Sequence, residues 1–381
     1  PPRSTPKPSS AASDVYKRQV LSRIEKDSAF ANLALRAALD TTELDERDKA
    51  LVTELVYGVT RMRRSCDFLI DRFISKKLHP DVRTILRLGA YQLHWTNIPD
   101  HAAVNGSVSL APKWARGLCN AVLRKVAKET VDWPTKAIEY SYPDWIVERL
   151  ESDLGEPEAR EALKCMNSSK AAVSREDGYF QDVASQLVSD LLTEEGTWGE
   201  GPVIDVCAAP GGKASATASA GFPVIAADSS LKRLKLARSN SLELNIKLPL
   251  VVADGTDLPF KKGEASRVIV DAPCSGLGVL RRRADARWRI KEEDIAVLAD
   301  LQLKLLCSAL TMLKSGGLLI YSVCTLTNME TVGVDEKFRN LMDVQEIGDL
   351  PHPWRKHGRG GMILPQDLDS EGMSVFRYIA P

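Results

Sequence analysis

The chain has 381 residues, 44% of them hydrophobic, and its 51 Lys and Arg side chains balance 51 Asp and Glu. This length predicts two or three domains, and the apolar fraction is typical of a folded globular protein. No apolar run approaches the roughly 18 residues that span a bilayer, and no secretory signal opens the chain, so we expect no membrane association. Seven irregularly spaced cysteines without a CxxC pair argue against disulfides and metal sites and favour a reducing, cytoplasmic location.

The charge is unevenly distributed along the chain. Residues 1–130 carry 22 basic and 14 acidic side chains, a net charge of +8, whereas residues 131–200 carry 6 and 16, a net charge of −10. A basic front segment suits a polyanionic partner such as nucleic acid, because neutralised phosphates release their counterions. A plain solvated helical surface explains the same charge equally well.

The front half of the chain is predicted to be helical. Residues 1–19 are rich in Pro and Ser and end in a segment that resembles a cloning scar, so we expect a disordered or non-native tail. Between residues 20 and 130 apolar residues recur at helical spacing, as in the run from Leu51 to Met62, which predicts an all-α helical bundle as a separate domain. Residues 131–195 predict an acidic, mostly helical connector.

From residue 196 onward, short apolar runs alternate with helical patterns. The predicted strands are 203–208, 223–228, 248–254, 265–273 and 317–323, and the predicted helices are 213–220, 230–245 and 292–314. Strands that alternate with helices predict an α/β doubly wound, Rossmann-like sheet. Ligands bind such sheets at the carboxyl ends of the strands, where we therefore expect the functional residues.

The first predicted strand runs into a glycine-rich turn and then a helix. Gly211 and Gly212 allow the backbone to approach a ligand closely, and the N-terminus of the following helix favours negative charge. Asp228 ends the next strand and either binds ribose hydroxyls or caps a helix, while Asp254 either contacts an adenine amino group or forms an Asp-Gly turn. The spacing matches neither GxGxxG nor GxxxxGK[ST], which leaves S-adenosylmethionine as the best cofactor candidate.

Two cysteines follow predicted strands closely. Asp271 ends the fourth strand and Cys274 lies on the glycine-rich loop after it, while Cys324 directly follows the fifth strand. A cysteine thiolate is nucleophilic when nearby positive charge or a helix terminus lowers its pKa. Either thiol could be an inert buried side chain, but two at one edge of a sheet favour covalent chemistry.

An arginine-rich run follows the Cys274 loop. Five arginines and one tryptophan fall within nine residues, namely Arg281, Arg282, Arg283, Arg287, Trp288 and Arg289. Guanidinium groups contact phosphates and an indole stacks on bases, so the run predicts an RNA-binding loop. The alternative is a solvated basic loop without a partner.

Three motifs in order resemble those of the RNA cytosine-5 methyltransferases: CAAPGGK at 207–213, DAPCSG at 271–276 and YSVCT at 321–325. Residues 98–126 are similar to the NusB-like helical RNA-binding domain at the head of the Sun/Fmu branch, the bacterial small-subunit ribosomal RNA methyltransferase B (RsmB-like) family. The resemblance implies a NusB-like domain followed, at residues 196–381, by an S-adenosylmethionine-dependent methyltransferase domain.

The resemblance also implies a role for each matching residue. Cys324 would be the nucleophile and Cys274 would assist product release. Asp271 would serve both the cofactor and the reacting base. The cofactor would be held by Cys207, Ala208, Ala209, Pro210, Gly211, Gly212, Lys213, Asp228, Asp254 and Asp271.

The implied reaction transfers a methyl group from S-adenosylmethionine to C5 of a cytosine in small-subunit (16S) ribosomal RNA. Addition of Cys324 to C6 activates C5, and a second thiol then helps to remove the C5 proton. The base must be unpaired or flipped out to be reached. The alternatives are a non-catalytic RNA-binding or ribosome-assembly factor, and a methyltransferase acting on tRNA, another RNA, a protein or a small molecule. We expect a monomer without a metal.

Overall fold

A computed structural model describes residues 11–27, 29–169, 173–196 and 198–381. The chain divides into two compact units, the first made of Pro1–Val147 with Arg282–Arg289 and the second of Glu148–Arg281 with Ile290–Pro381. Helices build the first unit, and a sheet with flanking helices builds the second.

The first unit is built from amphipathic helices. They are α1 (Ala11–Lys26), α2 (Ala31–Leu39), α3 (Glu46–Arg61), α4 (Arg63–Asp71), α5 (Pro80–Trp95), α6 (Asp100–Leu110), α7 (Arg116–Val126) and α8 (Lys136–Glu139). Their inner faces share one core that includes Val52, Leu55 and Leu86. Asp45 caps α3 through a backbone amide of its first turn, and Pro80 begins α5. The predicted all-α bundle is confirmed.

Residues 11–19 do not form the disordered tail that the sequence suggested. They belong to α1, which continues into Val20 and Leu21 in the core of the first unit. Most of the Pro and Ser residues that indicated disorder lie before residue 11. The core contacts of Val20 and Leu21 stabilise helix α1. Residues 1–10, the remainder of the predicted tail, lie outside the described residues.

The second unit contains a mixed sheet with helices around it. The helices that follow α8 are α9 (Asp144–Leu154), α10 (Glu156–Cys165), α11 (Val183–Thr193), α12 (Gly212–Ser219), α13 (Leu231–Glu243), α14 (Glu292–Met312) and α15 (Val332–Leu341). The strands are β1 (Val203–Asp205), β2 (Val224–Asp228), β3 (Leu250–Val252), β4 (Ala265–Asp271), β5 (Leu313–Val323), β6 (Gln345–Glu346), β7 (Arg355–His357), β8 (Gly360–Ile363) and β9 (Met373–Ile379).

The strand order places five parallel strands beside an antiparallel group. In the described residues the order is β3-β2-β1-β4-β5-β9-β8-β7, with β6 also paired to β9. Strands β1 to β5 run parallel, and β9 joins β5 antiparallel with Tyr321 opposite Phe376. The predicted Rossmann-like domain is confirmed, and the antiparallel group extends it.

The order of the strands also locates the ligand crevice. The chain passes from β1 outward to β2 and β3 and then returns to place β4 on the other side of β1. Parallel sheets bind their ligands at such a switch point, beyond the carboxyl ends of the two central strands. Asp205 ends β1, Asp271 ends β4 opposite Ser322 of β5, and Cys324 directly follows β5.

Helix α14 corrects the expectation that no segment is apolar enough to cross a membrane. It is the one helix in the described part of the chain that meets this criterion by length and composition. The sequence prediction missed it because isolated charges, Asp300 and Lys304, interrupt the apolar run. Leu305, Leu306 and Leu310 of α14 pack in the core beside the sheet, so α14 is a core helix of the second unit.

Candidate active site

The glycine-rich turn joins β1 to α12 at the carboxyl edge of the sheet. Gly211 has a φ of 99° and is the N-cap of α12, a backbone conformation that favours glycine. A Cβ built at Gly211 would lie 3.2 Å from the Cβ of Ala237, so the turn also packs closely on α13. The positive end of the α12 dipole therefore lies at this edge, where it suits an anionic or carboxylate group.

Asp228, at the end of β2, is buried and tied to that turn. Its carboxylate accepts hydrogen bonds from the backbone amides of Ala209 at 3.2 Å and Ser230 at 2.9 Å, and the Arg233 guanidinium lies 3.4 Å away. The N-cap of α13 is Ser230, whose side chain accepts from the amide of Arg233. Asp228 is therefore not the helix cap, the alternative left open by the sequence.

Asp254 forms a local turn after β3. Its Oδ1 accepts hydrogen bonds from the backbone amide and the hydroxyl of Thr256, at 2.9 and 2.8 Å. These bonds lower the pKa of Asp254 below its usual value. The carboxylate is exposed at the edge shared with Asp228, so its contact with a cofactor stays a hypothesis.

A buried cluster of charged side chains lies at the ends of β1 and β4. The Lys213 ammonium is 2.6 Å from Oδ2 of Asp271, and Oδ1 of Asp271 accepts a hydrogen bond from the Ser322 hydroxyl at 2.8 Å. Burial acts to lower the pKa of Lys213, but the carboxylates of Asp271 and Asp205 outweigh it and raise that pKa. Burial, together with the charge of Asp271, raises the pKa of Asp205 to about 7.

The two cysteines expected at this edge lie side by side. The Sγ atoms of Cys274 and Cys324 are 3.4 Å apart, and neither cysteine forms a disulfide. The hydrogen bond with Cys324, followed by burial, raises the pKa of Cys274 well above its usual value, so Cys274 is held as the thiol. Cys324 is among the groups that raise the pKa of Lys213, so the Lys213 ammonium and Cys324 interact electrostatically.

Residues outside the predicted motifs complete the site. Arg175 donates to the carbonyl of Gly212 at 2.7 Å and to the hydroxyl of Ser215 at 3.1 Å, which fixes the start of α12. Neither Arg175 nor Asp205 was predicted as a site residue. For Asp205, an acidic side chain at the end of an apolar strand was the available signal. Burial raises the pKa of Cys207 far above its usual value, so its thiol is unreactive in this environment.

Two arginines of the basic run are occupied inside the protein. In the second unit, Arg281 is 8% exposed, donates to the carbonyl of Ser168 at 3.0 Å and pairs with Asp369. In the first unit, Arg287 is fully buried with its guanidinium 3.9 Å from the ring centre of Tyr142. A guanidinium surrounded by protein cannot reach a phosphate, so the structure corrects the RNA-contact hypothesis at these two positions.

The other members of the basic run differ in exposure. Trp288 donates from its indole to a backbone carbonyl of α3 at 2.7 Å, and Arg289 pairs with Asp285 at 2.8 Å, so both are partly buried in the first unit. Arg282 and Arg283 are exposed. The hypothesis of RNA contact is therefore strongest for Arg282 and Arg283.

We expect Arg287→Ala to destabilise the first unit. Burial lowers the pKa of Arg287 to about 10, and its side chain lies against Tyr142 and near the carbonyls of Arg61 and Ser141. Removal would leave a cavity and unpaired carbonyls, costing on the order of 2–4 kcal/mol. Urea unfolding of Arg287→Ala measures this loss against Arg283→Ala, an exposed control that should unfold as the wild type does. Equal stability of both variants would contradict the structural role.

Two family models match this chain. One described as "16S rRNA methyltransferase RsmB/F" matches residues 193–375, and one described as "NusB family" matches residues 15–128. Together with the fold, these matches define a methyltransferase with a NusB-type helical domain. The helical unit corresponds to the NusB part, and the Rossmann-like sheet with its glycine-rich turn corresponds to the methyltransferase part. In the described residues, no group of three or more His, Cys, Asp or Glu side chains is arranged to hold a metal ion.

Curated relatives cover nearly the whole chain. The ribosomal RNA small subunit methyltransferase B of Pseudomonas putida is 31% identical over 95% of this chain and 97% of that protein. The chain belongs to the ribosomal RNA small subunit methyltransferase B family. A Bacillus subtilis protein named "Probable ribosomal RNA small subunit methyltransferase B" is 28% identical over an alignment that covers 94% of this chain and 96% of that protein. The crystal structure of PH0851 shares the fold, with a TM-score of 0.80 and 19% identity over 99% of both chains.

Proposed function

We propose that this protein transfers a methyl group from S-adenosylmethionine to C5 of a cytosine in small-subunit (16S) ribosomal RNA, through a covalent bond between Cys324 and C6. The observation that carries the proposal is the pair of neighbouring thiols, Cys274 and Cys324, whose Sγ atoms are 3.4 Å apart beside the ion pair of Lys213 and Asp271. Family membership supports ribosomal RNA as the substrate. We expect the protein to act as a monomer in the cytoplasm.

The carboxyl edge of the sheet fits S-adenosylmethionine. The positive φ of Gly211 permits a tight turn that a ligand can approach, and Asp228 ends β2, where ribose hydroxyls bind in this class of fold. The residues proposed to hold the cofactor are those of the turn from Cys207 to Lys213, with Asp228, Asp254 and Asp271. When bound there, the cofactor supplies an electrophilic methyl group on a sulfonium.

The first chemical step is addition of Cys324 to the ring. Cytosine C5 is a poor nucleophile until a thiolate adds to C6, which turns the ring into an enamine. We propose that the Lys213 ammonium favours the thiolate of Cys324, and that Asp271 and Lys213, which form an ion pair, stabilise the charge that develops at N3. C5 then bonds to the methyl carbon as the carbon–sulfonium bond breaks. The target base is unpaired or flipped to reach these groups.

The second step returns the free enzyme. C5 now carries both a proton and a methyl group, and Cys274 removes the proton as a general base. The electron pair of the C–H bond re-forms the C5–C6 double bond and expels Cys324 as a thiolate. Once Cys324 is bonded to carbon, its hydrogen bond and charge no longer raise the pKa of Cys274, so Cys274 gives up its own proton more readily at that stage.

Labelled methyl transfer tests the proposed function. The protein is incubated with small-subunit ribosomal RNA and S-adenosylmethionine carrying a labelled methyl group, and the RNA is digested to nucleosides. We expect the label in 5-methylcytidine. Label in any other nucleoside would contradict the C5 assignment, and transfer to tRNA alone would contradict the ribosomal substrate. Binding of cofactor and RNA without transfer to any RNA would support the assembly-factor alternative.

We expect Arg282 and Arg283 to contact phosphates. Alanine at both positions should weaken RNA binding and reduce the slope of log K against log salt by about two, because about one counterion is released for each lost contact. Fluorescence anisotropy at several salt concentrations measures the slope. Alanine at the exposed pair Lys261 and Lys262 is the matched control. An unchanged slope in the double arginine variant would show that these arginines are solvated side chains without RNA contacts.

A further inference from the structure

The buried carboxylate of Glu330 contacts the residues that directly follow the two cysteines. Glu330 is 0% exposed and ends a short 3-10 turn that follows β5. Its carboxylate accepts hydrogen bonds from the amide and the hydroxyl of Ser275, at 2.8 and 2.5 Å. It also accepts from the hydroxyls of Thr325 at 3.1 Å and Thr327 at 2.9 Å, and from the side-chain amide of Gln302 at 3.1 Å.

These bonds join the two loops that carry the thiols. Ser275 directly follows Cys274, and Thr325 directly follows Cys324. The hydroxyls of Ser275 and Thr325 are also 2.7 Å from each other. One carboxylate therefore binds the neighbour of each cysteine at the same time.

The network extends to the residue before Cys274. Gln302 on α14 donates both to Glu330 and, at 2.9 Å, to the carbonyl of Pro273. The Tyr321 hydroxyl lies 2.9 Å from the side-chain oxygen of Gln302 and 2.6 Å from the carbonyl of Glu330. Burying a carboxylate is costly unless several donors satisfy it, and removing it leaves those donors unpaired. Such a network fixes the backbone on both sides of Cys274.

We propose that Glu330 is the positioning residue that holds the Cys274 and Cys324 thiols in contact, acting through Ser275 and Thr325. This inference rests on the proposed function, in which Cys274 must reach the base bonded to Cys324. Glu330 binds the residues that directly follow the two cysteines, so we expect its main effect to be on the distance and orientation of the thiols. A sub-ångström displacement of one loop would separate the base from its proton, which lowers turnover strongly.

Cross-linking of the two thiols measures their proximity without substrate. Diamide oxidises the Cys274 and Cys324 thiols to a disulfide and itself takes up the two electrons and two protons. Mass spectrometry of the digested protein follows the Cys274–Cys324 peptide over time. We expect rapid cross-linking in the wild type and a rate at least about tenfold lower in Glu330→Ala, because the effective concentration of one thiol near the other falls. Glu330→Gln keeps the size and an acceptor for the Ser275 amide, and should restore most of the rate.

Asp335→Ala is the matched control. Asp335 is also buried in this domain, at 1% exposure, and is paired with Arg339 on α15 outside the network. We expect this variant to cross-link at the wild-type rate even if its unfolding midpoint falls. A wild-type rate in Glu330→Ala, or no cross-link in the wild type itself, would overturn the proposal. If Glu330→Ala fails to fold by circular dichroism, Thr325→Val removes one donor at nearly constant volume and should slow the cross-link about threefold. An unchanged cross-linking rate in Thr325→Val would also overturn the proposal.

Methyl transfer separates this proposal from the proposed function. We expect Glu330→Ala to lower kcat by at least about tenfold and to leave KM for S-adenosylmethionine unchanged, since the cofactor turn lies elsewhere on the sheet edge. A general loss of structure would change both constants. Because cross-linking needs neither RNA nor cofactor, an inactive wild type with a Glu330-dependent cross-link would contradict the proposed function alone.

Discussion

The Cys324→Ala variant is expected to lose methyl transfer by at least roughly a thousandfold while it keeps its affinity for S-adenosylmethionine. Without a thiolate to add to C6, C5 is never activated, whereas the cofactor turn from Cys207 to Lys213 is unchanged. Initial rates of labelled methyl transfer and calorimetric titration with S-adenosylmethionine measure the two quantities on one preparation.

Cys307→Ala is the control for Cys324→Ala. Cys307 is a partly buried cysteine on α14 that packs against the core cluster of that helix. We expect Cys307→Ala to turn over at the wild-type rate. Turnover by Cys324→Ala at a comparable rate would exclude Cys324 as the nucleophile, and loss of cofactor binding in Cys324→Ala would mean that its inactivity has another cause.

The Cys274→Ala variant is expected to accumulate a covalent protein–RNA complex. Its Cys324 can still add to C6 and methylation can still follow, but the base that removes the C5 proton is missing. The complex should appear, in the presence of S-adenosylmethionine, as a protein band of increased mass on a denaturing gel. Turnover should fall by at least about a hundredfold, the usual contribution of a general base.

The double variant Cys274→Ala/Cys324→Ala tests the origin of that band. We expect no complex, because the nucleophile is also absent. A complex in the double variant would mean that another side chain adds to the base. A Cys274→Ala enzyme that turns over normally without accumulating a complex would remove Cys274 from the release step.

The carboxyl edge of the sheet was predictable from sequence because each central strand is an apolar run with a clear end. Asp228, Asp271 and Cys324 end or follow such runs, and parallel strands bring their ends together. The sequence therefore predicted that Cys274 and Cys324 lie at the same edge of the sheet. It did not predict the distance between their sulfur atoms. The antiparallel group from β6 to β9 was not predicted, and three of its strands, β6, β7 and β8, have only two to four residues, too few to show an alternating pattern.

Burial was the quantity that sequence reasoning could not supply. Arg281 and Arg287 have the same local signature as Arg282 and Arg283, yet Asp369 and Tyr142, their partners, are 88 and 145 positions away in the chain. Glu330 was missed for the same reason, because its partner Ser275 is 55 residues away. A charged residue on the surface and one in a buried network can have the same neighbours in sequence. Only the tertiary contacts distinguish them.

Trapping with 5-fluorocytidine tests covalent catalysis by Cys324 most directly. Fluorine replaces the C5 proton that must leave, so the bond between Cys324 and C6 persists after methyl transfer. We predict that ribosomal RNA containing 5-fluorocytidine forms a complex with the wild type that depends on S-adenosylmethionine and survives a denaturing gel, with the RNA attached at Cys324 in the peptide map. Attachment at Cys274, or no complex with an RNA whose unmodified form is methylated, would contradict the account.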